Sequence, residues 1–246
     1  MTERTPEQQA VMQEILDEGA PGVAELVTLT DADLLALDGP DERGVAPLLW
    51  LGDFDVEHRR FAAEVAGRQL RARGLQTVIA SEPSPAARRL AAVLDLRRTA
   101  GAFLIGEQEA AGNRHSLVTY LHRGDRAIVE ETSHDGLHRF ISTSAATALE
   151  GTVEWMGPVE GNDGAPRDYS VEEFTAQGPE ILAATHRVSV LVGLRNRGGH
   201  KDERRTTIYT LPDRTVAVLP AGPQVLRMVE VSRRTLGGLV RSLTAD

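Results

Sequence analysis

The chain has no cysteine, which excludes disulfides, thiol nucleophiles and cysteine-ligated metal centres. Aromatic residues make up only 4% of the 246. The core must therefore be built from Ala, Leu and Val, and few rings remain for the base-stacking platforms of single-stranded nucleic acid binders. Lys201 is the one lysine among 27 basic residues. No stretch of about 18 apolar residues occurs, so no segment is expected to span a membrane. The first twenty residues carry Glu3, Glu7, Glu14, Asp17 and Glu18 and no apolar run. A secretory leader needs a basic start and an apolar stretch, so none is expected, and the expected location is the cytoplasm.

Apolar residues make up 41% of the chain, ordinary for a globular protein and too many for a disordered one. The formal net charge is −9, which argues against a phosphate backbone as the main partner. The length allows one large domain or two small ones.

The first half reads as helical. Thr5 and Pro6 open a helix that ends at Gly19, with sparse apolar residues Val11, Ile15 and Leu16, which predicts loose packing. Leu26–Leu29 alternates weakly. Thr30-Asp31-Ala32-Asp33 starts a short helix over Leu34–Leu37, and Pro47–Leu51 is an apolar run of strand length. Asp55 caps a helix over Val56–Arg73 that Gly74 ends, and Ser84-Pro85 opens another to Leu94.

The apolar period then falls from 3.6 to 2. Short strands are expected at Ala102–Gln108, Leu117–Leu121, Ala127–Glu131 and Leu137–Ser142, with turns at Arg123-Gly124-Asp125 and Ser133-His134-Asp135-Gly136. Ala145–Met156 reads as helix or strand. Gly157–Arg167 is a loop, and Tyr169–Leu182 is helical with Ser170 and Glu173 at capping-box spacing. A second meander follows at Arg187–Leu194, Thr206–Leu211 and Thr215–Leu219, with a polar loop at Asn196–Arg204. Val225–Leu243 is expected to be mostly helical.

Leu117–Met156 and Val188–Val240 share one order of features. The fold class is therefore α+β, a mainly antiparallel sheet built from two pseudo-repeated meanders with helices packed on it. Residues 1–26 form an N-terminal helical extension. Residues 27–246 form a single domain of two related halves, about 27–156 and 157–246.

No catalytic site is legible, and the chain reads as a non-enzyme with no cofactor and no metal. His134 and His138 lie four apart beside Asp135. On a helix that spacing could place two metal ligands on one face. Here the segment reads as turn and strand, where residues four apart are separated by about 13 Å, and polar residues on a solvated turn explain it better. Ser133, His134 and Asp135 are adjacent in sequence, the wrong geometry for a triad. Glu130 and Glu131 point to opposite faces of a strand and cannot share a proton. The Gly-rich Arg195–Lys201 lacks the strand–loop–helix fingerprint of nucleotide sites and reads as a hairpin loop. The pairs Arg59-Arg60, Arg88-Arg89 and Arg97-Arg98 read as solvated helix surfaces or ends. Two alternatives stand beside the non-enzyme: an enzyme of unknown class centred on His134 and His138, and a regulatory nucleic-acid binder using the Arg-rich helix Glu57–Arg73.

The segment Leu29-Thr30-Asp31-Ala32-Asp33-Leu34, followed by Pro47-Leu48-Leu49, resembles the start of EspG-family proteins, which accompany type VII (ESX) secretion systems in actinobacteria. The family then has a helix matched by Glu57–Leu75, ending Leu70-Arg71-Ala72-Arg73-Gly74-Leu75, a short Ala/Leu helix matched by Ala86–Leu96, and a strand matched by Ala102–Gly106. Arg123-Gly124-Asp125-Arg126-Ala127-Ile128-Val129 looks like its strand–turn–strand. The resemblance covers roughly Val27–Leu243; the helix Pro6–Glu18 precedes the family core. It implies a cytosolic chaperone-like protein that recognises a helical secreted substrate, PE–PPE-like or another ESX substrate, through an apolar surface. By position it implies partner contacts at Glu107, Gln108, Glu109 and Asn113 in a strand–strand loop, and at Val225, Leu236 and Leu239 in the second-half strands and closing helix. No nucleic acid and no membrane insertion are implied; a homodimer stays open.

Overall fold

The computed structural model describes residues 4–39, 45–75, 83–197 and 200–245. Its elements run α1 (Pro6–Glu18), β1 (Val23–Thr30), α2 (Asp31–Asp38), α3 (Val56–Ala72), α4 (Pro85–Thr99), β2 (Ala102–Ala110), β3 (Asn113–His122), β4 (Arg126–Thr132), β5 (Leu137–Thr143) and α5 (Ala145–Met156). The second half continues β6 (Arg167–Ser170), α6 (Val171–Ile181), β7 (Arg187–Arg197), β8 (His200–Thr210), β9 (Thr215–Gly222), β10 (Val225–Glu230) and α7 (Arg233–Thr244).

The repeat is wider than the meanders alone. Each half reads strand, capping box, helix, four-strand meander, helix. β1 leads into α2 through Thr30 and Asp33, which exchange side-chain and backbone bonds, and β6 leads into α6 through Ser170 and Glu173 in the same way. In each case the cap satisfies helix-start N–H groups that have no intrahelical partner. β1 pairs antiparallel with β5, and β6 pairs antiparallel with β10. The first half differs by the insertion of α3 and α4.

The chain folds as two compact units that do not coincide with the repeats. One comprises Met1–Gly101 with Ser116–Ala145, the other Ala102–His115 with Ala146–Asp246. In the first unit the strands lie in the order β1-β5-β4-β3, all antiparallel. Its core is aliphatic, with Ile15, Leu29, Leu34, Leu70, Leu90, Val93, Val118, Ile128 and Phe140 buried. In the second unit the order is β2-β7-β8-β9-β10-β6, again antiparallel. There α5 and α7 bury Val153, Met156, Leu236, Val240 and Leu243 against Leu104, Leu191, Ile208 and Ala217. β7 and α7 approach so closely that a Cβ on Gly193 would stand 2.1 Å from the carbonyl oxygen of Leu243.

Several expectations are corrected. Val225–Glu230 is a strand, because it is paired on both sides, with β9 and β6; the helix starts only after its Ser232 cap. Pro47–Leu51 is not a strand: it turns, with the Gly52 N–H bonded to the Leu48 carbonyl. The expected loop Asn196–Arg204 is mostly strand, since β7 and β8 pair out to Arg197 and His200; Gly198 and Gly199 lie outside the described residues. α1 is not loosely held. Ile15 and Leu16 are buried, and Glu18 and Asp17 pair with Arg89 and Arg126.

Candidate functional site: a buried charge network and the surfaces around it

His138 is expected on a solvated segment of turn and strand, and Arg97 at a solvated helix surface or end. Both are buried. His138 sits on β5 facing inward, its side chain fully enclosed between Asp31 at the start of α2 and Glu130 on β4. Its Nε2 lies 2.6 Å from Asp31 Oδ1 and its Nδ1 2.8 Å from Glu130 Oε1. Glu130 Oε2 in turn accepts from Tyr120 Oη at 2.5 Å and from Arg97 Nε at 3.0 Å. Arg97 Nη1 donates to Asp38 Oδ2 at 2.9 Å, and Arg98 donates to the other oxygen of Asp38.

The chain of groups holds three carboxylates and two guanidiniums. It is neutral when His138 carries a proton. Burial opposes that charge, but the bonds to Asp31 and Glu130 outweigh it and the imidazole pKa is raised. Burial likewise opposes the Glu130 charge; His138 and Arg97 overcome it, and the carboxyl is held below its ordinary value. Burial and the adjacent Glu130 carboxylate push Tyr120 well up. Both imidazole nitrogens face carboxylates and the three central side chains have no exposed surface. No substrate reaches them, and no ring nitrogen is free for a metal. His134 is exposed on the turn before β5, so the structure does not bring the two histidines together. Among the described residues no group of three or more His, Asp or Glu could hold a metal ion.

The network instead holds a surface in place. Asp31 Oδ2 accepts the backbone N–H of Trp50 at 2.9 Å and of Leu51 at 2.7 Å. This pins the turn that carries Trp50 and Phe54. Gly136, with φ +76°, packs against both Asp31 and Trp50; any side chain there would collide and be strained. From this turn the chain enters α3, where Asp55 caps the helix and also bonds the His58 ring. Trp50, Phe54 and His58 touch ring to ring, with centroids 5.6 Å and 6.2 Å apart. Phe61 and Val65 continue the same side of α3 at helical spacing. Trp50 is 51% exposed, Phe54 42% and Phe61 70%.

The residues implied as partner contacts all lie in the second unit. Glu107 and Glu109 are exposed near the end of β2 and Asn113 is exposed at the start of β3, beyond the Ala111-Gly112 turn. Ala111 and Gly112 both have positive φ. Gln108 faces inward and donates to the Trp155 carbonyl and to Ser189 Oγ. Val225 is half-buried on β10. Leu236 is wholly buried in the core and Leu239 packs against it, so Gln108 and Leu236 position the fold and offer a partner no surface. A groove of about 310 Å³ runs between α5 and α7, lined by Leu149, Val153, Arg233 and Arg241. In the first unit a wider groove of about 670 Å³ separates α1 from α4, lined by Val11, Met12, Arg88 and Ala91.

Among the described residues no helix is long and apolar enough to cross a membrane. No family model matches the sequence, and no curated protein matches it either. Among solved structures the chain is similar to the Mycobacterium tuberculosis type VII secretion system chaperone EspG5, solved in complex with the PE25–PPE41 dimer. The TM-score is 0.56 at 10% identity, covering 88% of this chain and 95% of that one. The likeness spans both repeats and both compact units, and the chain has the fold of an EspG chaperone.

Proposed function

We propose that this chain is a chaperone-like binding protein of the type VII secretion kind. It would cover an apolar helical part of a secreted substrate, PE–PPE-like or another ESX substrate, until export. The observation that carries this reading is the fold shared over 88% of the chain with a chaperone captured on its PE–PPE dimer. The titratable residues support a binding role over a catalytic one, because those that converge are sealed in the core and neutralise one another. Binding would draw on apolar burial, with charged residues at the rim setting orientation. Glu107 and Glu109 near the end of β2 and Asn113 at the start of β3, together with Val225 on β10 and Leu239 on α7, are the contacts proposed for the second unit.

The test is co-expression of the chain with helical secreted proteins from its own cell, scored by soluble yield and by a stoichiometric complex on gel filtration. A partner that is soluble only in the presence of the chain is the expected result. A set of secreted helical proteins whose solubility and elution ignore the chain would remove the reading.

A further inference from the structure

The α3 face of the first unit is unlike the rest of that unit. Of five phenylalanines and two tryptophans in the whole chain, Trp50, Phe54 and Phe61 stand on it in the open. From the size of such side chains, their exposed part comes to about 350 Å², the scale at which a patch on a monomer marks an interaction surface. Val65 extends it along the helix.

Its charge is also distinct. From Asp55 to Arg73 the helix and its caps carry five arginines, at 59, 60, 68, 71 and 73, against Asp55, Glu57 and Glu64. The protein as a whole is acidic, at −9. Elsewhere in this unit most described arginines, Arg123 excepted, meet acids within the chain: Arg88 with Glu7, Arg89 with Glu18, Arg97 and Arg98 with Asp38, Arg126 with Asp17, and Arg139 with Glu25 and Glu131. Among the described residues, none of the five α3 arginines forms an ion pair. On a helical projection Arg68 lies nearest Phe61, Glu57 and Glu64 come next and Arg71 and Arg60 lie beyond them, so this edge holds three cations and two carboxylates. An apolar stripe whose edge carries a surplus of guanidiniums over carboxylates favours an apolar helix stripe edged with carboxylates over one edged with cations.

We propose that this face, Trp50, Phe54, Phe61 and Val65 with Arg60, Arg68 and Arg71 at its edge, docks an acidic amphipathic α-helix of a partner protein. The assignment rests on the reading of the chain as a helix-binding protein and names a surface for it outside the second unit. The buried pair His138–Asp31 serves it at a distance, by fixing the backbone from which Trp50 projects.

Trp50 makes the proposal measurable. The other tryptophan, Trp155, is partly buried against the core of the second unit, so a change in the exposed indole is resolved against a steady background. The full chain is titrated with two synthetic helices of about four heptads, both with leucine at the apolar positions, one with glutamate and one with lysine elsewhere. The glutamate helix should bind saturably and shift Trp50 emission to the blue. The lysine helix should bind at least about tenfold more weakly. Phe61→Ser, a change at an exposed side chain, should weaken the glutamate helix by about tenfold or more, and Arg60→Glu with Arg68→Glu should reverse the preference between the helices.

Equal binding of the glutamate helix by wild type and both α3 variants would overturn the α3 assignment while leaving the chaperone-like reading in place. Loss of binding in Glu107→Ala/Glu109→Ala, with the α3 variants unaffected, would move the site to the second unit. Failure of the wild type to bind an apolar helix of either charge would remove both. A wild-type dimer on sedimentation that Phe61→Ser converts to monomer would assign the face to a second copy of the chain, and the acidic-helix proposal would be wrong.

Discussion

Replacing His138 with alanine removes the one group lying between two fully buried carboxylates. Breaking a buried ion pair by deleting one partner costs about 3–5 kcal/mol, because the charge left behind is neither solvated nor paired. Here neither carboxylate is left bare. Asp31 keeps the N–H groups of Trp50 and Leu51, and Glu130 keeps Arg97 and Tyr120. The expected loss is therefore near the low end, about 3 kcal/mol. Urea unfolding, followed by the fluorescence of Trp50 in the same unit, should show a midpoint lowered by about 1 M for a chain of this size. The pH dependence has a definite sign. The folded-state pKa of His138 is raised above 6.5. Its contribution is complete below about pH 6.5 and is lost as pH rises through the folded value, because the folded protein then gives up a proton that it binds more tightly than the unfolded chain. His138→Ala should lack that alkaline decline. A loss under about 1 kcal/mol, the range of an exposed pair, or an unchanged slope above pH 6.5, would refute the view that an ionised histidine bridges these carboxylates.

Other outcomes follow from single sites. Glu130 acts in the opposite direction to His138: its carboxyl is held below 4.5, so its stabilisation is present above about pH 4.5 and disappears on acidification, and Glu130→Gln should flatten the acid limb of the stability curve. Burial lowers the His122 pKa from 6.5 to about 4; the unfolded chain alone binds that proton between those values, so stability falls as pH drops through the window, and His122→Gln should remove this part of the slope. Gly193→Ala places a methyl 2.1 Å from the Leu243 carbonyl oxygen and should cost about 1–3 kcal/mol by thermal melting, with the amide protons of α7 exchanging first. Ser170→Ala removes the Oγ that accepts the Glu173 N–H and should cost about 1 kcal/mol, seen as faster exchange confined to α6.

Caps and breakers made the helices readable. Thr5, Thr30, Asp55, Ser84 and Ser170 each accept the N3 backbone N–H, three residues on, as their spacing implied, because a cap is a local bond between residues near in sequence. Strand alternation showed the two meanders for the same reason: the side-chain period is a local property of extended backbone. Val225–Glu230 escaped this logic. Its residues suit either a helix or a strand, and only pairing with β9 and β6 on both edges decides the matter. The charge network escaped it entirely. Asp31, Arg97, Glu130 and His138 are separated by up to 107 residues, and nothing near any one of them announces the others. A faint signal did exist. His138 sits at an inward position of an alternating strand, between Leu137 and Arg139, which face solvent.

The sequence by itself determined the fold class, the repeat and the type of most elements, since propensity, capping and period act over a few residues. It also set the composition that makes three exposed rings conspicuous. Tertiary structure alone decided which polar residues became core and which apolar residues stayed outside. Burial depends on what the opposing element brings: on α3 the side that carries Ala66 and Leu70 meets the core, while Phe61, half a turn away from Leu70, stays in water. A charged side chain likewise becomes tolerable in the interior only when partners from distant segments arrive to neutralise it, as Asp31 and Glu130 do around His138.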